Sequence, residues 1–164
     1  MKYKENQSIS YHNNALFDKF RSLNIPLGEY AIVSGGPLAI RGIRKTNDVD
    51  VIVTTDLWNT LKDKYGNTYY GPHKVKLITP IPDVDFFCAE SLKKLRGTLP
   101  KDEPTAEEQI DNAEIINGLS FQSLRDCLWF KKNQEREKDI IDIELTKKYL
   151  ETHPAEMAKI DFML

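Results

Sequence analysis

The segment "YAIVSGGPLAIRGIRKTNDVDVIV", residues 30–53, constrains this chain most. An apolar run of strand length stops at two glycines, a short basic stretch follows, and a second apolar run opens on Asp48-Val49-Asp50. Side chains two apart on a strand share a face, so Asp48 and Asp50 project together while Val49 and Val51 point to the other side. Two carboxylates a few ångströms apart repel, and arginine, lysine or a divalent cation is needed to relieve that. Magnesium prefers hard carboxylate oxygens and completes its shell with water and substrate phosphates. A second pair, Asp83 and Asp85, opens a later apolar run with the same spacing. If that run pairs beside the first, Asp85, or alternatively Asp83, joins Asp48 and Asp50. Three clustered acids suit two magnesium ions, which would stabilise the attacking and leaving oxygens of a phosphoryl or nucleotidyl transfer.

Gly35 and Gly36 complement the acids. They end one strand and open a helix, and bare backbone there lets N–H groups approach an anion at the positive end of the helix. Arg41, Arg44 and Lys45, between the glycines and the acids, are placed to neutralise phosphate charge. Either element alone is common in ordinary turns and charged strand edges. The ordered combination, followed by a second acidic strand, is far more specific.

Around this segment the pattern reads helix–strand–helix–strand–helix–strands, then helices. Residues 10–24 place Leu16, Phe17 and Phe20 on one helical face. A short helix follows the glycines, with Pro37 tolerated in its first turn. Residues 55–66 form a helix with Thr54 or Thr55 as N-cap and Gly66 as its stop. Residues 73–80 and 83–90 are further strands, and residues 91–97 a short helix. Residues 98–111, rich in proline and acids, read as loop. Residues 113–122 form a hairpin around Asn117-Gly118. Helices over residues 123–134 and 137–151 close the chain, the last with Ile140, Ile141, Ile143 and Leu145 as its apolar side. This predicts an α/β (α+β) domain with one small mixed β-sheet flanked by helices. One domain over residues 1–164 is expected, its core about residues 30–96 and its C-terminal helical part about residues 120–151.

The composition fits. With 164 residues, 40% hydrophobic and 29% charged, the chain has enough apolar side chains for a core. A formal net charge of −2 excludes a molecule built as a whole to coat a polyanion. Cys88 and Cys127 lie in apolar neighbourhoods and read as buried reduced thiols. The start of the chain lacks a signal-peptide core, and no apolar run approaches the ~20 residues of a membrane span. A cytoplasmic protein is expected.

The ordered set resembles the signature of the nucleotidyltransferase superfamily, the group that includes DNA polymerase β-like enzymes: strand, Gly-Gly or Gly-Ser, short helix, an Asp-x-Asp strand, and a third acid from a later strand. The resemblance implies Asp48, Asp50 and Asp85 as catalytic metal ligands for Mg2+. Asp85 would help deprotonate or orient the acceptor hydroxyl. Gly35 and Gly36, with Ser34 before them, would bind the nucleotide. Many relatives place a serine or threonine where this chain has Pro37. The tail, "SLRDCLWFKKNQEREKDIIDIE", resembles the C-terminal helices of small bacterial abortive-infection-type and lincosamide-type nucleotidyltransferases. Their lysine and Lys-Asp-x-x-Asp pattern falls here on Lys131, Lys138, Asp139 and Asp142. The resemblance covers roughly residues 30–150.

The function expected is transfer of a nucleoside monophosphate, with AMP from ATP the leading candidate, to a hydroxyl of a small molecule, a tRNA or a protein. Asp48, Asp50 and Asp85 would carry the metals, and Arg44, Lys131 and Lys138 would join Ser34, Gly35 and Gly36 in binding the nucleotide. One rival is a domain of the same fold that binds a nucleotide or partner protein without catalysis. A second is a metal-dependent phosphohydrolase using the same acids. Read without the resemblance, Lys131, Lys132, Lys138 and Lys147 form a solvated helix face. Asp139 and Asp142 then pair with Arg136 or Lys138, and Trp129 and Phe130 belong to the core. His12, His73 and His153 have no metal-ligand spacing.

Overall fold

The computed structural model describes residues 2–69, 75–77, 79–89 and 103–160. Helix α1 (Lys2–Arg21) leads into strand β1 (Tyr30–Val33) and the short helix α2 (Gly36–Ile40). Strand β2 (Val49–Val53), helix α3 (Thr55–Tyr65) and strands β3 (Asn67–Tyr69), β4 (Val75–Leu77) and β5 (Val84–Cys88) follow. Then come helix α4 (Ala106–Asp111), strands β6 (Glu114–Ile116) and β7 (Leu119–Phe121), and helices α5 (Leu124–Gln134), α6 (Glu137–Glu151) and α7 (Pro154–Met157). Five strands form a mixed sheet in the order β5-β2-β1-β7-β6. β1 runs antiparallel to β2 and parallel to β7, β2 runs parallel to β5, and β6 and β7 form an antiparallel hairpin. This is the expected mixed α/β architecture.

Alternation along the strands separates core from site. Val49, Val51 and Val53 of β2 and Val84 and Phe86 of β5 enter one apolar cluster with Leu16, Phe17 and Phe20 of α1. Phe17 meets Phe121 edge-on at 5.3 Å, and Phe20 lies 5.4 Å from Tyr30. The opposite face of the sheet carries Ala31 and Ile52, covered by Ala106 and Ile110 of α4. Asp50 and Asp85 belong to that second face, at the end of the strands where the cover is incomplete and both remain partly exposed. A separate apolar cluster joins Leu38 of α2 to Leu124 and Leu128 of α5, Leu150 of α6 and Ile160.

Local signals act as their chemistry dictates. Thr54 caps α3 by accepting from the Leu57 N–H, and Gly66, at φ +75°, ends it. Asn117 and Gly118 both take positive φ, the conformation a two-residue hairpin turn requires. Cys88 and Cys127 are free, buried thiols.

Several expectations need correction. α1 starts at Lys2, not at residue 10. Within the stretch read as loop, Ala106–Asp111 is a helix, started by a reciprocal capping box between Thr105 and Glu108. β4 does not join the main sheet: it pairs with β3 in a two-stranded sheet of its own. Ile140 and Ile141 are exposed, and the buried side of α6 is Asp139, Asp142, Thr146 and Leu150. The helix expected over residues 91–97 lies outside the described residues.

Asn13 holds the connection from α2 to β2. It is 1% exposed on the apolar face of α1. Its side-chain amide donates to the carbonyls of Ala39 and Arg44, both at 3.0 Å, and its oxygen accepts from the Thr46 N–H at 3.2 Å. Asn13→Ala removes all three bonds and strands buried backbone groups. It is expected to lower stability by about 2–3 kcal/mol in urea unfolding. A loss below about 0.5 kcal/mol would show that the connection is held by other means.

Candidate functional site

The turn after β1 is built tightly. Ser34 takes a left-handed φ of +62°, a conformation that disfavours any residue with a Cβ. Gly35 and Gly36 have ordinary negative φ, so they are glycine for space. A Cβ on Gly36 would lie 2.3 Å from Ile32 Cγ2. One on Gly35 would lie 2.9 Å from Thr46 Oγ1 and 3.1–3.2 Å from the Arg44 guanidinium nitrogens. The bare Gly35 backbone therefore admits the Arg44 side chain onto the turn. Pro37 is buried in the first turn of α2, where its missing N–H breaks no helical bond.

The acids stand beside this turn. Asp50 on β2 and Asp85 on β5 are register partners in neighbouring parallel strands. Val33, the last residue of β1, is the register partner of Asp50 on the other side. Asp83 sits before β5: its carbonyl accepts from the Val49 N–H at 2.8 Å, and its carboxylate lies 3.9 Å from Lys19. Of the two candidates for third acid, the one adjacent to Asp50 is thus Asp85. Asp48 is exposed just ahead of β2.

The field at Asp50 reports the neighbourhood. Burial, then the charges of Asp48 and Asp85, push its carboxyl up to about 6, against a hydrogen bond with Ser34 and the charge of Lys138. Four other residues singled out from sequence, Ser34, Asp48, Asp85 and Lys138, thus act on Asp50. Among the described residues, no three histidine, cysteine, aspartate or glutamate side chains form a ready-made metal cage. Hard carboxylate oxygens on two adjacent strands fit magnesium, which takes one or two protein carboxylates and fills its octahedron with water and phosphate oxygens. They do not fit zinc, which favours a closed nitrogen and sulfur shell.

The cations divide. Arg44 makes a two-pronged contact with Asp142, Nε to Oδ1 at 2.6 Å and Nη2 to Oδ2 at 2.9 Å. Lys131 Nζ donates to Asp142 Oδ2 at 2.8 Å and lies 3.9 Å from Asp139. Asp139 in turn is held by Arg136 at 2.6 Å and 3.1 Å. Burial works to raise both aspartates. The hydrogen bonds and charge of Arg136 on Asp139, and of Arg44 and Lys131 on Asp142, prevail and hold both below the usual carboxylate range. Lys131 is 5% exposed, so it belongs to a buried network and not to a solvated face. Arg41 is committed to Glu114 at 2.6 Å and Glu156 at 2.8 Å, away from any role at the acids. Lys138 is exposed and makes no hydrogen bond or ion pair among the described residues; its charge acts on Asp50.

Sequence reasoning missed Asn13 and Thr46, while Arg136, read as a pairing partner of Asp139 and Asp142, does hold Asp139. Asn13 carried a signal, a polar residue on the face defined by Phe17 and Phe20. Thr46, whose hydroxyl donates to the Asp48 carbonyl at 3.1 Å, carried none.

Two outcomes follow from these charges. Because the fold raises the carboxyl of Asp50, ionising it disfavours the folded state, and stability falls as pH rises from about 4 through about 6. Asp50→Asn is expected to be about 1–3 kcal/mol more stable than the parent at about pH 7.5 and indistinguishable from it near about pH 4, read by thermal unfolding across pH. Asp142→Ala, which leaves Arg44 without its acid and Lys131 with only its longer contact to Asp139, is expected to lose about 3–5 kcal/mol. Ile141→Ala on the exposed side of the same helix should stay within about 0.5 kcal/mol. Equal losses would mean that apolar packing docks α6.

No protein-family model matches the chain, and no curated protein sequence matches it. Among solved structures, the chain is similar to the crystal structure of an antigenic nucleotidyltransferase-like protein from Paracoccidioides brasiliensis. The two share 20% identity at a TM-score of 0.40, with 86% of this chain and 72% of the other covered.

Proposed function

We propose that the chain is a magnesium-dependent nucleotidyltransferase that moves a nucleoside monophosphate, AMP in the first instance, from a nucleoside triphosphate to an acceptor hydroxyl. The observation that carries this reading is the register pairing of Asp50 with Asp85 beside the Ser34-Gly35-Gly36 turn, with Asp50 raised to about 6 by burial and the charges of Asp48 and Asp85. Carboxylates brought this close on neighbouring strands favour a bound divalent cation.

In this reading Asp50 and Asp85 on adjacent strands, with Asp48 at their exposed edge, would hold magnesium, which would supply positive charge to the oxygens around the reacting phosphorus. The backbone of Ser34, Gly35 and Gly36 and the Ser34 hydroxyl seat the phosphates. Arg44 presents its guanidinium at Gly35, fixed there by Asp142, while Lys131 balances the second charge on that acid pair and acts on the nucleotide only through Arg44. Lys138 offers a mobile positive charge at the rim. The acceptor oxygen bonds to the α-phosphorus, the bond from that phosphorus to the bridging oxygen breaks, and pyrophosphate leaves. Asp85 takes the acceptor proton at its carboxylate. The acceptor belongs to a small molecule, a tRNA or a protein.

The test is transfer of label from α-labelled ATP with magnesium, scored separately in small-molecule, RNA and protein fractions. Asp50→Asn and Asp85→Asn are expected to lose at least about a hundredfold in transfer while keeping the parent circular dichroism. Lys138→Ala is expected to weaken ATP binding about fivefold. Parental transfer by either aspartate variant would overturn the reading. ATP binding with no labelled acceptor in any fraction would support a nucleotide-binding domain without catalysis, and labelled AMP or free phosphate alone a hydrolase.

A further inference from the structure

The peptide unit between Asp48 and Val49 is gripped at both ends. Its carbonyl accepts from the Thr46 hydroxyl at 3.1 Å, and its N–H donates to the Asp83 carbonyl, just ahead of β5, at 2.8 Å. A peptide unit is planar, so bonds at its two opposite ends fix its orientation. That orientation in turn limits the directions open to the Cα–Cβ bond of Asp48. Asp48 needs such a hold more than its partners do. Asp50 and Asp85 lie within paired strands, whereas Asp48 is exposed, one residue ahead of β2.

Thr46 is itself anchored. It is 5% exposed. Its N–H donates to Asn13 Oδ1 at 3.2 Å, and its carbonyl accepts from His12 Nε2 at 2.8 Å. Two consecutive residues of α1 thus hold the Thr46 backbone, and the hydroxyl is the group that reaches Asp48. The same hydroxyl borders the glycine turn, since a Cβ on Gly35 would lie 2.9 Å from it. One buried threonine therefore stands between the turn after β1 and the first of the three acids.

We propose that Thr46 is a positioning residue: by holding the Asp48 carbonyl, its hydroxyl sets the Asp48 carboxylate where it can share a divalent cation with Asp50 and Asp85. The assignment rests on the metal reading of those acids. Thr46 acts through Asp48 and needs no contact with the metal. Valine fills the space of threonine without the hydroxyl, and serine keeps the hydroxyl without the methyl group, so the two variants separate hydrogen bonding from packing.

The test is titration of the full chain with Mn2+ alone, a cation that takes the same hard oxygen ligands as magnesium, followed by the paramagnetic resonance of the free ion. Thr46→Val is expected to weaken Mn2+ about fivefold, and Thr46→Ser less than about twofold. Beside Asp48→Asn, which removes the carboxylate charge, Thr46→Val is expected to cost less than about twofold, because both changes strike one interaction. Parental affinity in Thr46→Val, equal losses in the valine and serine variants, or a loss undiminished beside Asp48→Asn would overturn the assignment and leave the metal reading standing. No saturable Mn2+ binding by the parent would overturn both. Should Thr46→Val fail to fold, Thr46→Ala takes its place in the same comparison.

Discussion

The two-pronged contact between Arg44 and Asp142 is the interaction on which the rest of this structure depends. It joins the α2–β2 connection, which ends on the paired acids, to the C-terminal helices, nearly a hundred residues later in the chain. Lys131 and Arg136 extend it, so four charged side chains and one more aspartate close the gap between α5, α6 and the sheet. A buried ion pair contributes little net stability against an apolar replacement, but it is unforgiving of partial removal. Its value here is positional. It lays a guanidinium against Gly35, where a Cβ would crowd it at 3.1–3.2 Å and meet Thr46 Oγ1 at 2.9 Å.

Two groups of aspartates in one small chain behave in opposite ways. Asp139 and Asp142 are the more deeply buried, yet arginine and lysine hold them ionised. Asp50 resists ionisation first because burial disfavours its charge and then because Asp48 and Asp85 carry the same sign. Arg44, Lys131 and Arg136 contact the first group directly, whereas burial and like charge prevail at Asp50. Structural charge and candidate catalytic charge can be told apart by that difference, which neither residue type nor spacing reveals.

Much of the frame was legible from sequence because strand alternation and turn chemistry are local. Val49 and Val51 against Asp48 and Asp50, the Asn117-Gly118 turn and the Thr54 cap all follow from residues within a few positions. The placement of Asp85 rested on a guess about strand order, and the register of β2 with β5 settles where that residue sits. What stayed hidden was non-local or disguised. The capping box at Thr105 and Glu108 lay inside a proline-rich, acidic stretch whose composition reads as loop. Ile140 and Ile141 suggested an apolar helix face, but the pairing of Asp139 and Asp142 with Arg44, Lys131 and Arg136 turned the helix the other way. Lys131 looked like a surface lysine because nothing within a turn of it shows that two aspartates will surround it.

The inward polarity of α6 has a consequence for how the C-terminal part finds its place. Oily surfaces slide past one another with little penalty for a few degrees of rotation. A planar fork gripping a carboxylate does not, since both bonds fail together when the angle drifts. The last long helix is therefore keyed to a single seat, like a plug whose pins admit one orientation.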